Sequence, residues 1–265
     1  MRSSTTGSID IVTPATREMM GKVPAITLGF WIVKILATTF GETAGDTVSM
    51  SMGLGYLAGS AIFLAIFAAF AWWQISATRF HPWLYWATII ASTTAGTTMA
   101  DFATRSLGIG YPGGSLLLLA CVIASLAAWH RTLGSISAES VHEPRAESFY
   151  WLTITFSQTL GTALGDWTAD TGNLGYGGAA VIFGALLAIL AALYFWTKVS
   201  RVLLFWTAFI LTRPLGATVG DLLDKPIDHG GLAFSRPLAS SVLAIAIVVL
   251  VVMLPQRAGS QAKGV

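Results

Sequence analysis

Gly161-Thr-Ala-Leu-Gly-Asp166 closes a long apolar run, and the chain writes it three more times. The other copies are Gly41-Glu-Thr-Ala-Gly-Asp46, Gly96-Thr-Thr-Met-Ala-Asp101 and Gly216-Ala-Thr-Val-Gly-Asp221. Ten residues past the aspartate, three copies reach Tyr56, Tyr111 and Tyr176, and the fourth has Gly231. Successive aspartates lie 55, 65 and 55 residues apart. That spacing predicts a two-helix hairpin used four times, duplicated as a pair of hairpins with a period of 120 residues. Four such hairpins, all entering from the same side, are parallel repeats that close around a pseudo-fourfold or twofold axis with one motif per hairpin facing it.

The setting for these hairpins is a lipid bilayer. The 265 residues are 54% hydrophobic and only 11% charged, with a mean hydropathy of +0.70, where a soluble domain carries roughly 25% charge. A net charge of +2 gives no reason to expect nucleic acid. Cys121 stands alone, which excludes an internal disulfide and a cysteine-built metal site. Crossing the hydrocarbon core takes about 20 apolar residues, and eight stretches qualify or come close: 24–45, 54–78, 82–100, 115–129, 149–165, 177–197, 202–220 and 237–254. The fourth is short, so the loop 106–114 is expected to dip below the membrane surface. Lys and Arg concentrate in the N-terminal stretch, the C-terminal stretch and the loops after the second, fourth and sixth stretches, leaving only Arg105, Lys225 and Arg236 for the other loops. The positive-inside rule then puts both termini in the cytoplasm. Trp72, Trp73, Trp83, Trp86, Trp129, Trp151 and Trp196 fit an interfacial belt at that side. The expected fold is an all-α polytopic membrane protein of eight transmembrane helices in four tandem hairpins. Its parts are a cytoplasmic tail 1–23 without signal-peptide features, a first four-helix repeat 24–130, a linker 131–148, a second repeat 149–256 and a tail 257–265.

Counting back from each aspartate sorts the motif into two faces. Positions −5 and −1 are small in every copy, the pattern that lets membrane helices approach closely. Positions −8, −4 and 0 form a polar stripe: Thr38-Glu42-Asp46, Thr93-Thr97-Asp101, Gln158-Thr162-Asp166 and Arg213-Ala217-Asp221. In lipid this stripe must face protein or water. Threonines bonding back to helix carbonyls and aspartates capping the following turn form the plain structural alternative. Position +4 is basic in the second and fourth copies, Arg105 and Lys225, and is Met50 and Asp170 in the first and third. Hairpins two and four are therefore expected to be internally neutralised. Glu42, Asp46, Asp166 and Asp170 are expected to lack a local partner and to bind a cation, with Thr162, Asp101 and Asp221 nearby. Carboxylate and hydroxyl donors suit Mg²⁺, Ca²⁺, Mn²⁺ or a proton, and Met50, Met52 and Met99 lean toward Mn²⁺. Lys34 and Arg213 are expected to be counterions to these carboxylates, released when a cation binds. The alternative for Lys34 is a snorkelling side chain or a permanent pair with Glu42 or Asp166.

No phosphate-binding loop, Gly-x-Ser-x-Gly elbow or His-Glu-x-x-His helix occurs. With 39–46, 101–111 and 159–166 in view, the chain resembles a bacterial family of multipass proteins described as uncharacterised membrane-anchored proteins. The resemblance spans nearly the whole chain and implies a bacterial inner membrane, with no activity and no site residue to carry over. The leading expectation is a secondary transporter or exporter of an inorganic cation, a divalent metal favoured, and not an enzyme. The alternatives are a cation channel with an aspartate selectivity ring, an intramembrane aspartate enzyme and a non-transporting scaffold. Expected partners are the cation or a proton and the lipid bilayer, with no nucleic acid and no cofactor beyond that cation; a homo-oligomer is compatible with this reading.

Overall fold

A computed structural model describes residues 20–138, 141, 143–171 and 174–260; the rest of both predicted tails, 139, 140 and 142 of the linker, and 172 and 173 lie outside the described residues. Eight helices carry the described chain. They are α1 (Leu28–Asp46), α2 (Gly55–Ser76), α3 (Pro82–Asp101), α4 (Gly110–Leu133), α5 (Pro144–Thr171), α6 (Gly175–Trp196), α7 (Arg201–Asp224) and α8 (Arg236–Met253). Local chemistry sets several starts. Thr27 and Ser235 cap α1 and α8 through their hydroxyls, and Pro82 opens α3, where its missing N–H costs nothing. Every second helix of a hairpin follows a glycine in the left-handed region at position +9: Gly55, Gly110, Gly175 and Gly230. The fourth stretch is not short. α4 runs 24 residues from Gly110, so it is as long as the others and the predicted submerged loop shrinks to a turn.

The four odd-numbered helices form an inner ring, each packed on its two odd neighbours, with α7 returning to α1. The even-numbered helices lie outside, and the hairpins are splayed. Each outer helix packs chiefly on the inner helix of the next hairpin: α2 on α3, α4 on α5, α6 on α7, and α8 back on α1. α1 has no earlier outer helix, so α8 closes the circle. Hydropathy follows this layering. The outer helices α2, α4, α6 and α8, and of the inner ones α7, are long and apolar enough to cross a membrane, while the inner helices α1, α3, α5 and α7 carry most of the buried threonines and charges.

Two registers lock the ring. Each glycine at −5 receives the −8 residue of the next inner helix: Gly41 faces Thr93, Gly96 faces Gln158, Gly161 faces Arg213 and Gly216 faces Thr38. At the opposite end, near the terminal strands, the aromatic residue at −16 meets the tryptophan at −15 of the next copy. The pairs are Phe30–Trp86 at 5.5 Å, Tyr85–Trp151 at 5.8 Å, Tyr150–Trp206 at 6.0 Å and Phe205–Trp31 at 5.9 Å between centroids. The Tyr85 and Tyr150 hydroxyls share a hydrogen bond of 2.7 Å. Trp86, Trp129 and Trp151 are therefore core residues, contrary to the predicted belt, which keeps Trp72, Trp73, Trp83 and Trp196 at the surface.

The tails are ordered where they meet. Met20–Pro24 pairs antiparallel with Ala258–Ser260, so Pro24 ends a strand instead of opening a helix. The linker is partly core as well, since Ala138 and Val141 are buried and Ile136 accepts a hydrogen bond from Trp206 Nε1. Lys22 on the first strand reaches Glu147 at 2.5 Å and the carbonyl of Ile75 at 3.1 Å. Glu147 stands just before the predicted spanning stretch 149–165 and is buried. Burial pushes its carboxyl up to about 7, outweighing the Lys22 ammonium that pulls it down. A raised acid of this kind contributes stability that is whole below about 4.5 and lost as the pH rises through about 7. The melting temperature of the purified protein is expected to fall between about pH 5 and about pH 8, and Glu147→Gln to flatten that part of the profile.

The candidate cation site on the bundle axis

The motif aspartates lie near the ends of the inner helices and are all buried, between 0% and 3% exposed. Asp46 and Asp101 run into π-helical turns, Thr47–Ser51 and Phe102–Ser106, without capping them through their side chains. Asp166 stays inside α5, and Asp221 lies three residues before the end of α7. The capping explanation for the four carboxylates thus fails. Back-bonding does hold for the flanking threonines Thr39, Thr94, Thr159 and Thr218.

Arg105 and Lys225 pair with their own aspartates as expected, at 2.9 Å to Asp101 and 3.0 Å to Asp221. Each also bridges to the aspartate of the next copy. Arg105 Nη2 lies 3.1 Å from Asp166 Oδ2, and Lys225 Nζ lies 2.5 Å from Asp46 Oδ2. The predicted division into neutralised and unneutralised hairpins is therefore corrected. The ring consists of two acid–base–acid triads, Asp101–Arg105–Asp166 and Asp221–Lys225–Asp46, which the 120-residue period makes symmetry mates. Ring closure is the cause, because it sets the last turn of one inner helix against the aspartate of the next.

Glu42 takes its partner across the axis as well. Arg213 Nη1 lies 2.9 Å from Glu42 Oε2, and Nη2 donates to Thr97 Oγ1 and Thr162 Oγ1, each at 2.6 Å. One guanidinium thus touches all three other inner helices, which places it on the axis. Two predicted roles do not survive. Asp170 is exposed and stays outside the ring, with Tyr111 as its neighbour. Lys34 is fully buried, so it does not snorkel, and it makes no ion pair among the described residues; its Nζ lies 4.1 Å from the centre of the Phe209 ring.

Two residues outside the predicted site join it. Asp224 brings a carboxylate oxygen within 4.8 Å of oxygens of Asp46 and Asp221, and Arg236 lies 3.5 Å from Asp224 and 3.8 Å from Asp46. Position +3 is acidic only in the fourth copy, so the signal for Asp224 is not the repeat but its place three residues after Asp221, on the same face of α7. The turn after α7 holds this cluster. Gly231, Leu232, Ala233 and Phe234 donate backbone hydrogen bonds to Pro226, Leu222, Lys225 and Leu223. A β-carbon on Gly231 would fall on the Lys225 carbonyl, which is why the fourth copy cannot place a tyrosine there. Tyr56, Tyr111 and Tyr176 fill the other three places; Tyr56 and Tyr176 lie beside the aspartates of their own and the next copy, and Tyr111 beside Asp166 and Asp170 of the next.

Hard oxygen donors around a buried ring suit a hard cation or a proton. Any metal ion among Asp46, Asp221 and Asp224 must first displace the Lys225 ammonium. A family model described as "Repeat of Unknown Function (DUF347)" matches four times, at residues 29–80, 84–135, 149–200 and 204–256. Each match covers one inner helix and the outer helix that follows it. No curated protein and no solved structure matches the chain.

Proposed function

We propose, starting from a chain that belongs to the DUF347 repeat family and from the geometry of its axis, that it is a secondary transporter of a hard inorganic cation. A divalent metal is favoured, Mn²⁺ first, with Mg²⁺ and Ca²⁺ served by the same donors. The chain sits in a bacterial inner membrane with eight spans and both termini in the cytoplasm, so the aspartate ring faces the periplasmic side. One observation carries the reading: the ring buries Asp46, Asp101, Asp166, Asp221 and Asp224 with, among the described residues, Arg105, Lys225 and Arg236 paired to them. Five carboxylates against three cations leave two negative charges that burial will not tolerate uncompensated. A single divalent cation balances them, and so do two protons, which makes exchange of one for the other electroneutral. Arg105 and Lys225 act as tethered counterions that swing aside when the metal enters.

A standing pore fits the axis poorly, because Arg213, Lys34 and the aromatic layer fill it. A scaffold is the second reading, favoured by the cross-helix ion pairs. The two separate on cellular metal. Mn, Mg, Ca, Fe and Zn contents are to be compared with and without the protein, and with Asp46→Asn and Asp166→Asn. An exporter lowers the content of its metal, and both variants return it to the level of cells lacking the protein. No change in any metal overturns the transport reading.

A further inference from the structure

We propose a second ion site, for a small inorganic anion, in the layer of the axis between Lys34 and Arg213. It does not rest on the cation reading and lies away from the aspartate ring, since Arg213 and Lys34 precede their aspartates by eight and twelve residues, about 12 and 18 Å of helix. Two observations meet there. The first is charge. Lys34 and Arg213 are both fully buried, and the carboxylate of Glu42 is committed to Arg213. Lys34 has the Phe209 ring and no hydrogen-bond acceptor among the described residues, so a protonated ammonium there leaves this region with one positive charge in excess. Walls supplied by Ile89, Ile154 and Phe209, all fully buried, offer nothing to offset it.

The second observation is a set of idle donors. The layer of Arg213, one helical turn from Lys34, also holds Thr38, Thr93 and Gln158, aligned by the glycine contacts of the ring. Gln158 is fully buried, yet neither its Nε2 nor its Oε1 has a partner. Thr93 Oγ1 and Arg213 Nε are unpartnered too. Buried amides and hydroxyls are hydrogen-bonded in the great majority of cases, so several idle donors in one layer next to an unpaired ammonium point to a ligand that accepts hydrogen bonds and carries negative charge. The single excess charge makes the ion monovalent.

The test uses the purified full-length protein, with chloride replaced by gluconate at constant ionic strength. A saturable rise in melting temperature with chloride is expected, reaching roughly 5 °C when chloride is a hundredfold above its dissociation constant. Lys34→Met and Gln158→Leu each remove the chloride dependence, while Asp166→Asn, in the aspartate ring, retains it. Crystals grown in bromide should show an anomalous peak between Lys34 and Gln158. If Lys34→Met does not fold, Thr93→Val and Gln158→Leu carry the same comparison. The proposal is overturned if chloride has no effect, if its effect survives in these variants, or if bromide appears only at the surface, as an adventitious ion only.

Discussion

Gly216→Val leaves no folded, monodisperse protein, whereas Gly184→Ala is indistinguishable from the parent. A β-carbon on Gly216 falls on the Thr38 hydroxyl and lies 2.6 Å from Thr38 Cβ and 2.8 Å from its carbonyl carbon. The last contact is backbone of α1, which no rotamer change can move. Overpacking a core ordinarily costs about 1–3 kcal/mol. Valine exceeds that here because α7 must separate from α1 along its length, which also draws Arg213 from Glu42 and Lys225 from Asp46. Gly184, on the outer helix α6, has nothing within 4 Å of the same atom, so its substitution stays within about 0.5 kcal/mol. Size-exclusion profiles before and after heating decide the matter. A normal melting profile for Gly216→Val would mean that the inner ring is not closed at α7 and α1.

Lys225→Met produces the second large effect. It strands Asp46 and Asp221 in a buried ring, and removing one partner of such a pair costs about 3–5 kcal/mol. Adding Asp46→Asn to Lys225→Met restores part of the loss, because one stranded charge is gone. A double-mutant cycle on melting free energy measures this coupling. Arg105→Gln costs less, since the Arg105 side chain is a third exposed and solvent screens its pairs. If Lys225→Met melts like the parent, Lys225 does not neutralise the ring.

The inner ring was legible in the sequence because it rests on periodicity. The −5 and −1 glycines, the −8, −4, 0 stripe and the 55-residue spacing are all properties of one helix repeated. The aromatic contacts at −16 and −15 were legible in the same way, as a tryptophan at −15 in every copy, but reading those residues as a lipid belt hid them. Partners across helices were not legible. The i, i+4 pairing of Arg105 with Asp101 follows from helix geometry, whereas its reach to Asp166 depends on which hairpin follows round the ring. Glu42 and Lys34 lie two helical turns apart on α1, yet Arg213 arrives from α7 and takes the carboxylate. Asp224 follows Asp221 by three residues on one face of α7, a spacing the sequence shows, but its approach to Asp46 depends on ring closure.

The most direct measurement is Mn²⁺ flux into proteoliposomes holding a proton gradient, with a pH dye inside to count protons. Exchange through the ring predicts two protons moved per Mn²⁺, and background flux in both Asp46→Asn and Asp166→Asn, one from each triad. Absence of flux for Mn²⁺, Mg²⁺ and Ca²⁺ alike, or full flux in both variants, contradicts the account.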